Sequence, residues 1–159
     1  METVGADAVV PPRASWRRAW RGRRRPRVRL GAGVRLGRGV ELRAARGARL
    51  VVGDGVAIGD GARLEAFGGE LSIGDGSALG ERCVLAGALT VGRECVVGDW
   101  ARVEGDARLE DRARLAAHAV TLAGASIGRG AVVGSYVVVD GAVEPGAVVR
   151  QTRAPRSSS

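Results

Sequence analysis

The feature that most constrains this chain is an aliphatic residue that returns at every sixth position. The series that starts at Ile73 and ends at Val139 has twelve members, and all except Thr121 are aliphatic. A period of six fits neither an α-helix nor a β-strand, whose side-chain periods are 3.6 and 2. A fixed hexapeptide period is typical of a parallel β-helix, in which three hexads form one triangular turn.

The other positions of the hexad support this interpretation. Position five, counted from Ile73 as position one, is uncharged in every hexad and small in nearly all of them. Charged residues fall mainly at positions two, three, four and six, and Gly and Asp are frequent among them. We therefore expect positions one and five to point into a narrow core, with Gly and Asp at tight corners.

The same phase extends upstream to Leu30 with two interruptions. Three extra residues occur around AFGGE (66–70), and four occur around RAARG (43–47). The sequence thus predicts an all-β fold, a single-stranded parallel β-helix of about six triangular coils over residues 28–149. A basic arm or cap over 1–27 precedes it, and a disordered tail over 150–159 follows it.

The net charge of +8 is concentrated in the N-terminal arm. Residues 1–30 hold nine Arg and two acids, giving +7, and the rest hold 16 Arg and 15 acids, giving +1. A short helix is predicted from Ser15 as N-cap to Gly22, with Trp16 and Trp20 on one face. The arm either covers the first coil or binds anionic lipid or a phosphorylated acceptor. Nucleic acid is not expected as a partner, because no reader motif accompanies the charge.

Several classes of site and location are not indicated by the sequence. It has no apolar run of 18 residues and no signal peptide, so a cytoplasmic location is expected, peripheral at the inner membrane surface if the arm binds lipid. Cys83 and Cys95 occupy position five on different faces, and a disulfide is not expected between them. With one histidine, His118, no metal site is predicted.

Two stretches carry a resemblance to a known family. LAGASIGRGAVVGSYVVVDGAVEPGAVV (122–149) and IGDGSALGERCVLAGALTVGRECVVGDWARV (73–103) resemble the hexapeptide-repeat acyltransferases, in their sugar O-acetyltransferase branch. The resemblance implies a left-handed coil, a homotrimer, and acetyl transfer from acetyl-CoA to a sugar hydroxyl. It further implies that acetyl-CoA is a co-substrate lying between two prisms, and that a His acts as general base.

The chain departs from the family pattern where that base is expected. The branch carries Asp-x-Asp-His followed by an extended loop, but here residues 104–107 read EGDA and the hexads continue unbroken. Ala107 stands at the His position, and Asp106 matches the second Asp. The Asn-Pro-Ala pattern that helps to seat coenzyme A is replaced by TRA at 152–154.

The only histidine belongs to a column of rings. Steps of 18 residues connect Arg82, Trp100, His118 and Tyr136, which places them on one corner in successive turns. The column is a ligand groove, a seam between subunits, or a simple stack of side chains. The candidate catalytic residues are His118 with Asp106 or Glu104, either of which could reach it from a neighbouring chain. The candidate cofactor-binding residues are Trp100, Gly134, Ser135, Tyr136 and Arg150.

Two hypotheses about function follow. The first is a coenzyme A-dependent O-acyltransferase acting on a sugar, a glycan precursor or a similar small hydroxyl acceptor, including the case of weak or lapsed catalysis. The second is a non-catalytic β-helix trimer that serves as a scaffold or partner subunit. The coil match favours the first hypothesis, and the missing His motif and loop favour the second.

Overall fold

The computed structural model of the protein describes residues 2–4 and 27–151. Within these residues the chain forms 21 β-strands and no helix. The strands are β1 (Glu2–Val4), β2 (Val28–Leu30), β3 (Arg35–Leu36), β4 (Glu41–Ala44), β5 (Arg49–Val52), β6 (Ala57–Ile58), β7 (Arg63–Ala66), β8 (Glu70–Ile73), β9 (Ala78–Leu79), β10 (Val84–Ala86), β11 (Thr90–Val91), β12 (Val96–Val97), β13 (Arg102–Val103), β14 (Arg108–Leu109), β15 (Arg114–Leu115), β16 (Val120–Thr121), β17 (Ser126–Ile127), β18 (Val132–Val133), β19 (Val138–Val139), β20 (Ala142–Val143) and β21 (Val148–Val149).

These strands form three sheets that enclose a triangular prism. Sheet A has the order β1-β4-β7-β10-β13-β16-β19, sheet B has β2-β5-β8-β11-β14-β17-β20, and sheet C has β3-β6-β9-β12-β15-β18-β21. The chain visits sheet B, then C, then A in each coil, which creates a B–C, a C–A and an A–B corner. From β2 onward all pairings are parallel, and the coil has the left-handed sense that the resemblance implies.

The pairing register explains the count of coils. Partners are 18 residues apart in the central coils, as for Val84 and Arg102. They are 22 apart for Glu41 and Arg63, because the four residues added around RAARG fall at the A–B corner. They are only 16 apart for Ser126 and Ala142, so the last coil leaves the hexad phase. This shortened coil brings the total to about seven coils, close to the six that the hexads from Leu30 to Val139 predict.

The core consists of the two hexad positions that the sequence assigns to the interior. Position one residues such as Leu109 and Leu115 are buried, and so are position five residues such as Ala113 and Cys95. Pairing a bulky and a small side chain fills a narrow prism, and burial of each bulky side chain contributes roughly 1.5–3 kcal/mol. The inward prediction is confirmed from Val40 to Val143, whereas Val34 and Leu36 in the first coil are only partly buried.

Side-chain carboxylates connect one coil to the next at the corners. Asp99 Oδ1 accepts a hydrogen bond of 2.8 Å from the N–H of Glu81, and Asp111 Oδ1 accepts one of 2.9 Å from the N–H of Arg93. A Cβ at Gly80 would collide with Asp99 Oδ1 and with the backbone around it. Position two of the hexad is therefore glycine where the carboxylate of an Asp in the next coil occupies the space of a Cβ.

The first edge of sheet A is covered by the chain's own N-terminus. Strand β1 pairs antiparallel with β4, with Glu2 opposite Ala44 and Val4 opposite Leu42. An unpaired edge would offer its backbone groups to another chain, and β1 closes it over these residues. The helix predicted from Ser15 to Gly22 and the tail after Gln151 lie outside the described residues. Among the residues described, no helix is long and apolar enough to cross a bilayer.

Thr121 is the one polar residue in the aliphatic series, and its hydroxyl is buried without a hydrogen-bond partner. A buried unsatisfied hydroxyl costs about 1–3 kcal/mol. We expect Thr121→Val to raise the free energy of unfolding by at least about 1 kcal/mol and the Tm by roughly 3 °C. Val103→Thr, one coil earlier in the same column, should lower both in thermal and urea unfolding. A Thr121→Val protein of unchanged or lower stability would contradict this account.

Cys83 lies in the core, and its burial, aided by the charge of Asp99, raises the pKa of its thiol from 9.0 to about 12. The unfolded chain then loses this proton near pH 9, before the folded chain does. The free energy of unfolding should therefore be unaffected below pH 9 and fall as the pH rises towards 12. Cys83→Ala, which matches Ala101 in the next coil, should reduce this alkaline loss in urea unfolding at about pH 8 and about pH 11. Identical pH dependence in the two proteins would refute the assignment.

Candidate functional site

Three ring-bearing residues, Trp100, His118 and Tyr136, lie at the C–A corner. Each follows a strand of sheet C and precedes a strand of sheet A. Their backbones are fixed by the coil before. The N–H of Trp100 donates to the carbonyl of Glu81 at 2.9 Å, and that of His118 donates to Asp99 at 2.9 Å. The N–H of Tyr136 donates to Ala117 at 3.3 Å. Each residue thus occupies the same place in its own coil, as the spacing of 18 predicts.

Trp100, His118 and Tyr136, which we call the ring column, form a continuous parallel stack. The ring centroids of Trp100 and His118 are 6.1 Å apart with an interplanar angle of 4°. Those of His118 and Tyr136 are 4.7 Å apart with an angle of 3°. The guanidinium carbon of Arg82 lies 5.1 Å from the centre of the Trp100 ring, at cation–π distance. The rings lie one above another because successive coils are separated by the distance between parallel strands, about 4.8 Å.

The backbone at this corner is left-handed, which side chains rarely adopt. The φ angles are 60° at Trp100, 60° at His118 and 61° at Tyr136. Gly39 and Gly61 occupy the same place in earlier coils, at φ 68° and 69°. A non-glycine residue here costs about 1 kcal/mol, and each stacked pair returns about 0.5–1.5 kcal/mol. Stacking offsets much of this strain. The same backbone conformation occurs at Glu94 and Arg112 of the B–C corner, so the exposed aromatic stack, and not the strain, marks the column as a candidate functional feature.

His118 is exposed, and its described contacts are the two rings. No hydrogen bond or ion pair is made by its imidazole with any residue in the described part of the chain. The rings of Trp100 and Tyr136 stack on the faces of the imidazole, and neither nitrogen has a hydrogen-bond partner among the described residues. The column therefore presents an imidazole that can accept or donate a proton in the plane of the stack.

The candidate carboxylates are not brought to His118 within one chain. Glu104 and Asp106 follow β13 and lie at the A–B corner, whereas His118 precedes β16 at the C–A corner. Strands β13 and β16 are neighbours in sheet A, so the two groups are at opposite ends of adjacent strands. Their predicted role as partners of His118 from a neighbouring chain stays a prediction.

The candidate cofactor-binding residues gather at the C–A corner. Gly134 and Ser135 form the turn that leads to Tyr136, and the N–H of Gly134 donates to the carbonyl of Val149 at 2.7 Å. That bond places Arg150 beside Gly134, and a Cβ on Gly134 would lie 3.6 Å from its Cα. Four of the five candidate residues thus share one end of the C–A corner, and the fifth, Trp100, lies on the same corner two coils away. Their role in binding stays a prediction.

Sequence reasoning missed an apolar surface that surrounds the ring column. Six large apolar side chains are exposed in the described part of the chain, and all except Phe67 lie at this corner or on strands of the two sheets that meet there. Besides Trp100 and Tyr136 these are Val96, Val138 and Val148, with exposed fractions of 37%, 59% and 55%. The available signal was position six of the hexad, where Val96 and Val138 stand in place of the polar residues of several other hexads; Val148 lies beyond the last hexad and had no such signal.

A cleft of about 460 Å³ at the B–C corner is lined by charged side chains, of which Arg112 and Glu94 form an ion pair. Arg112 Nε lies 3.1 Å from Glu94 Oε2, and Asp111 accepts from the N–H of Arg93. Opposite charges alternate along this corner in successive coils, which is a stabilising arrangement. No group of three or more metal-ligating side chains occurs among the residues the structure describes.

The fold has solved relatives, whereas no protein-family model and no curated protein matches the sequence. The acetyltransferase domain of PglB from Neisseria gonorrhoeae, solved with acetyl coenzyme A, is 16% identical at a TM-score of 0.61, covering 73% of this chain and 53% of that one. WeeI from Acinetobacter baumannii is 20% identical at a TM-score of 0.45, covering 75% and 52%. GDP-perosamine N-acetyltransferase from Caulobacter crescentus, solved with coenzyme A and GDP-perosamine, is 20% identical at 0.42, covering 76% and 52%.

The similarity to the PglB domain, at a TM-score of 0.61, establishes the fold. The structural neighbours are coenzyme A-dependent acyltransferases built on hexapeptide repeats, as the resemblance in the sequence predicts. The chain spans about half the length of the solved proteins it matches.

The strain at His118 gives a direct test of the left-handed corner. His118→Gly and His118→Ala both lose the ring contacts. Only His118→Gly also removes the steric conflict at φ 60°. We expect the Gly variant to have a free energy of unfolding about 1 kcal/mol higher than that of the Ala variant, the reverse of the order at an ordinary strand position. Urea unfolding of both proteins measures the difference. An Ala variant of equal or greater stability would show that the corner is not left-handed.

Proposed function

We propose that the protein transfers an acyl group, acetyl in the simplest case, from coenzyme A to the hydroxyl of a small acceptor such as a sugar or glycan precursor. The observation that carries the proposal is the exposed imidazole of His118, held at the C–A corner with both nitrogens unpaired among the described residues. A general base must combine an accessible nitrogen with a fixed direction. The acyl-transferring neighbours of the same fold support this choice of reaction.

The reaction assigns one role to His118. Its neutral ring nitrogen takes the proton of the acceptor hydroxyl while the hydroxyl oxygen forms a bond to the carbonyl carbon of the thioester. The carbon–sulfur bond then breaks, and the proton passes from the imidazolium to the leaving sulfur. The products are an O-acyl ester and coenzyme A with a free thiol. No metal or redox partner takes part in this sequence.

The surroundings of the ring column suit the co-substrate. Gly134 leaves the backbone at the turn without a side chain, and Arg150 beside it makes no described ion pair and is available to a phosphate group. The exposed Val96 and Val148 offer apolar surface for a thioester chain. We therefore assign coenzyme A binding to Trp100, Gly134, Ser135, Tyr136 and Arg150, and we regard acetyl-CoA as a co-substrate that leaves after each turnover.

A homotrimer belongs to the proposal, because one prism presents only one side of such a site. Exposed rings and valines at one corner are the composition expected of an interface. In a threefold arrangement the corner of one prism faces another prism, and Glu104 or Asp106 of a neighbouring chain would be the carboxylate that His118 lacks. The comparisons do not favour the non-catalytic scaffold. The cytoplasmic location and the contact of the Arg-rich arm with anionic lipid stay predictions.

Acetyl-CoA binding and turnover test the proposal. Calorimetry should detect acetyl-CoA binding at or below millimolar concentration, and mass spectrometry should find acetylated product when a set of sugars and nucleotide sugars is supplied. His118→Asn suits the left-handed corner but cannot act as a base at neutral pH. It should lower kcat by about 10²–10⁴ and leave acetyl-CoA binding in place.

The matched control for that variant is Arg112→Asn, which places the same residue in the same backbone conformation, φ 62°, at the B–C corner. It should leave both binding and turnover unchanged. Absence of binding at millimolar acetyl-CoA would refute the acyltransferase. Full activity of His118→Asn would refute the role of His118.

A further inference from the structure

A base in an active site is ordinarily held in one orientation by a carboxylate or carbonyl that bonds its second nitrogen. His118 has no such partner in the described part of its own chain, since Glu104 and Asp106 lie at the far end of the neighbouring strands. An imidazole without an orienting group turns freely about its outer side-chain torsion. Its nitrogens would then spend little time in the direction of a substrate.

The rings on both sides of His118 restrict that rotation. The planes of Trp100 and Tyr136 are parallel to the imidazole within 4° and 3°, on opposite faces. With the Tyr136 ring centroid 4.7 Å away, turning the imidazole out of the shared plane drives its edge into the neighbouring ring. The allowed orientations are those in which the ring stays in the plane of its own coil.

The backbone fixes the same direction independently. The N–H groups of Trp100 and His118 are bonded to the preceding coil, and all three residues share a φ near 60°. The side chains therefore leave the prism in parallel. Arg82, over the outer face of Trp100, closes that end of the stack. The rings are held by the coils, and the imidazole is held by the rings.

From this geometry we propose that Trp100 and Tyr136 are positioning residues for the reaction proposed above. Within one chain they hold the plane of the His118 imidazole between two aromatic faces, and a carboxylate from a neighbouring chain would then fix which nitrogen faces the acceptor. The inference rests on the proposed function for its catalytic consequence. The clamp itself is a property of the folded chain and can be measured without any substrate.

The single histidine makes the clamp directly observable. In the NMR spectrum of the full chain every imidazole carbon-bound proton signal comes from His118, so no assignment is required. Stacking between two aromatic faces should shift these protons upfield of their positions in the urea-unfolded protein. Tyr136→Asn, which suits the left-handed backbone but carries no ring, should lose part of the shift. Tyr136→Phe should retain it.

Kinetics with acetyl-CoA and an accepted hydroxyl substrate measure the consequence. We expect Tyr136→Asn and Trp100→Asn to lower kcat about tenfold or more, in addition to the rise in the KM for acetyl-CoA that follows from the loss of their proposed contacts with coenzyme A. Tyr136→Phe should restore kcat, because the face of the ring and not its hydroxyl does the positioning. Arg112→Asn is again the control for an asparagine at a left-handed corner.

The outcomes separate the clamp from the reaction. Imidazole signals at their unfolded positions in the wild-type protein would overturn the clamp. A raised KM with unchanged kcat in the Asn variants would also overturn it, because the rings would then be contact residues for coenzyme A only. Shifted signals in a protein that turns over no acceptor would refute the proposed function and leave the clamp standing as a structural feature.

Discussion

Everything in this structure depends on the backbone ladder between successive coils. From β5 onward each strand bonds the strand one coil earlier in parallel register, so a residue lies directly above its partner in every sheet. One turn by itself buries too little apolar surface to offset the entropy of ordering its backbone. The ladder thus supplies stability and, at the same time, sorts the side chains into columns about 4.8 Å apart.

The columns differ in the interaction that connects their side chains. In the interior, bulky and small residues alternate and fill the prism without aromatic rings. At the B–C corner, opposite charges such as Glu94 and Arg112 meet. At the C–A corner, rings stack over a left-handed backbone that glycine would occupy with less strain. A column of exposed, stacked rings that includes the one histidine of the sequence is where a functional role is best sought.

The position of the ring column also explains why one chain looks incomplete as an enzyme. The ring column lies on an outer corner of the prism, so a second surface from a neighbouring copy would enclose a ligand bound there. The exposed valines beside the rings, and the distance between His118 and the carboxylates of its own chain, are both consistent with a site completed by a neighbouring copy. In the proposed reaction, the ring clamp would orient the base from within one chain.

The sequence by itself determined the coil, its inward residues and the membership of the columns. Residues separated by 18 positions lie on the same corner of successive coils, so the sequence alone places Arg82, Trp100, His118 and Tyr136 in one column. It also identifies Thr121 as the one polar residue in the aliphatic series. Those inferences held because the ladder enforces the period. The seventh coil was missed because two residues are absent before β20, which shifts its register from 18 to 16.

Only the tertiary structure decided how the side chains in a column meet. The parallel ring planes, the left-handed φ at bulky residues, the gathering of Val96, Val138 and Val148 around one corner, and the antiparallel β1 all depend on groups far apart along the chain. Sequence spacing states which coil and corner a residue occupies. The direction of its side chain depends on torsion angles and on neighbours from another sheet, and these exist only once the coils have stacked.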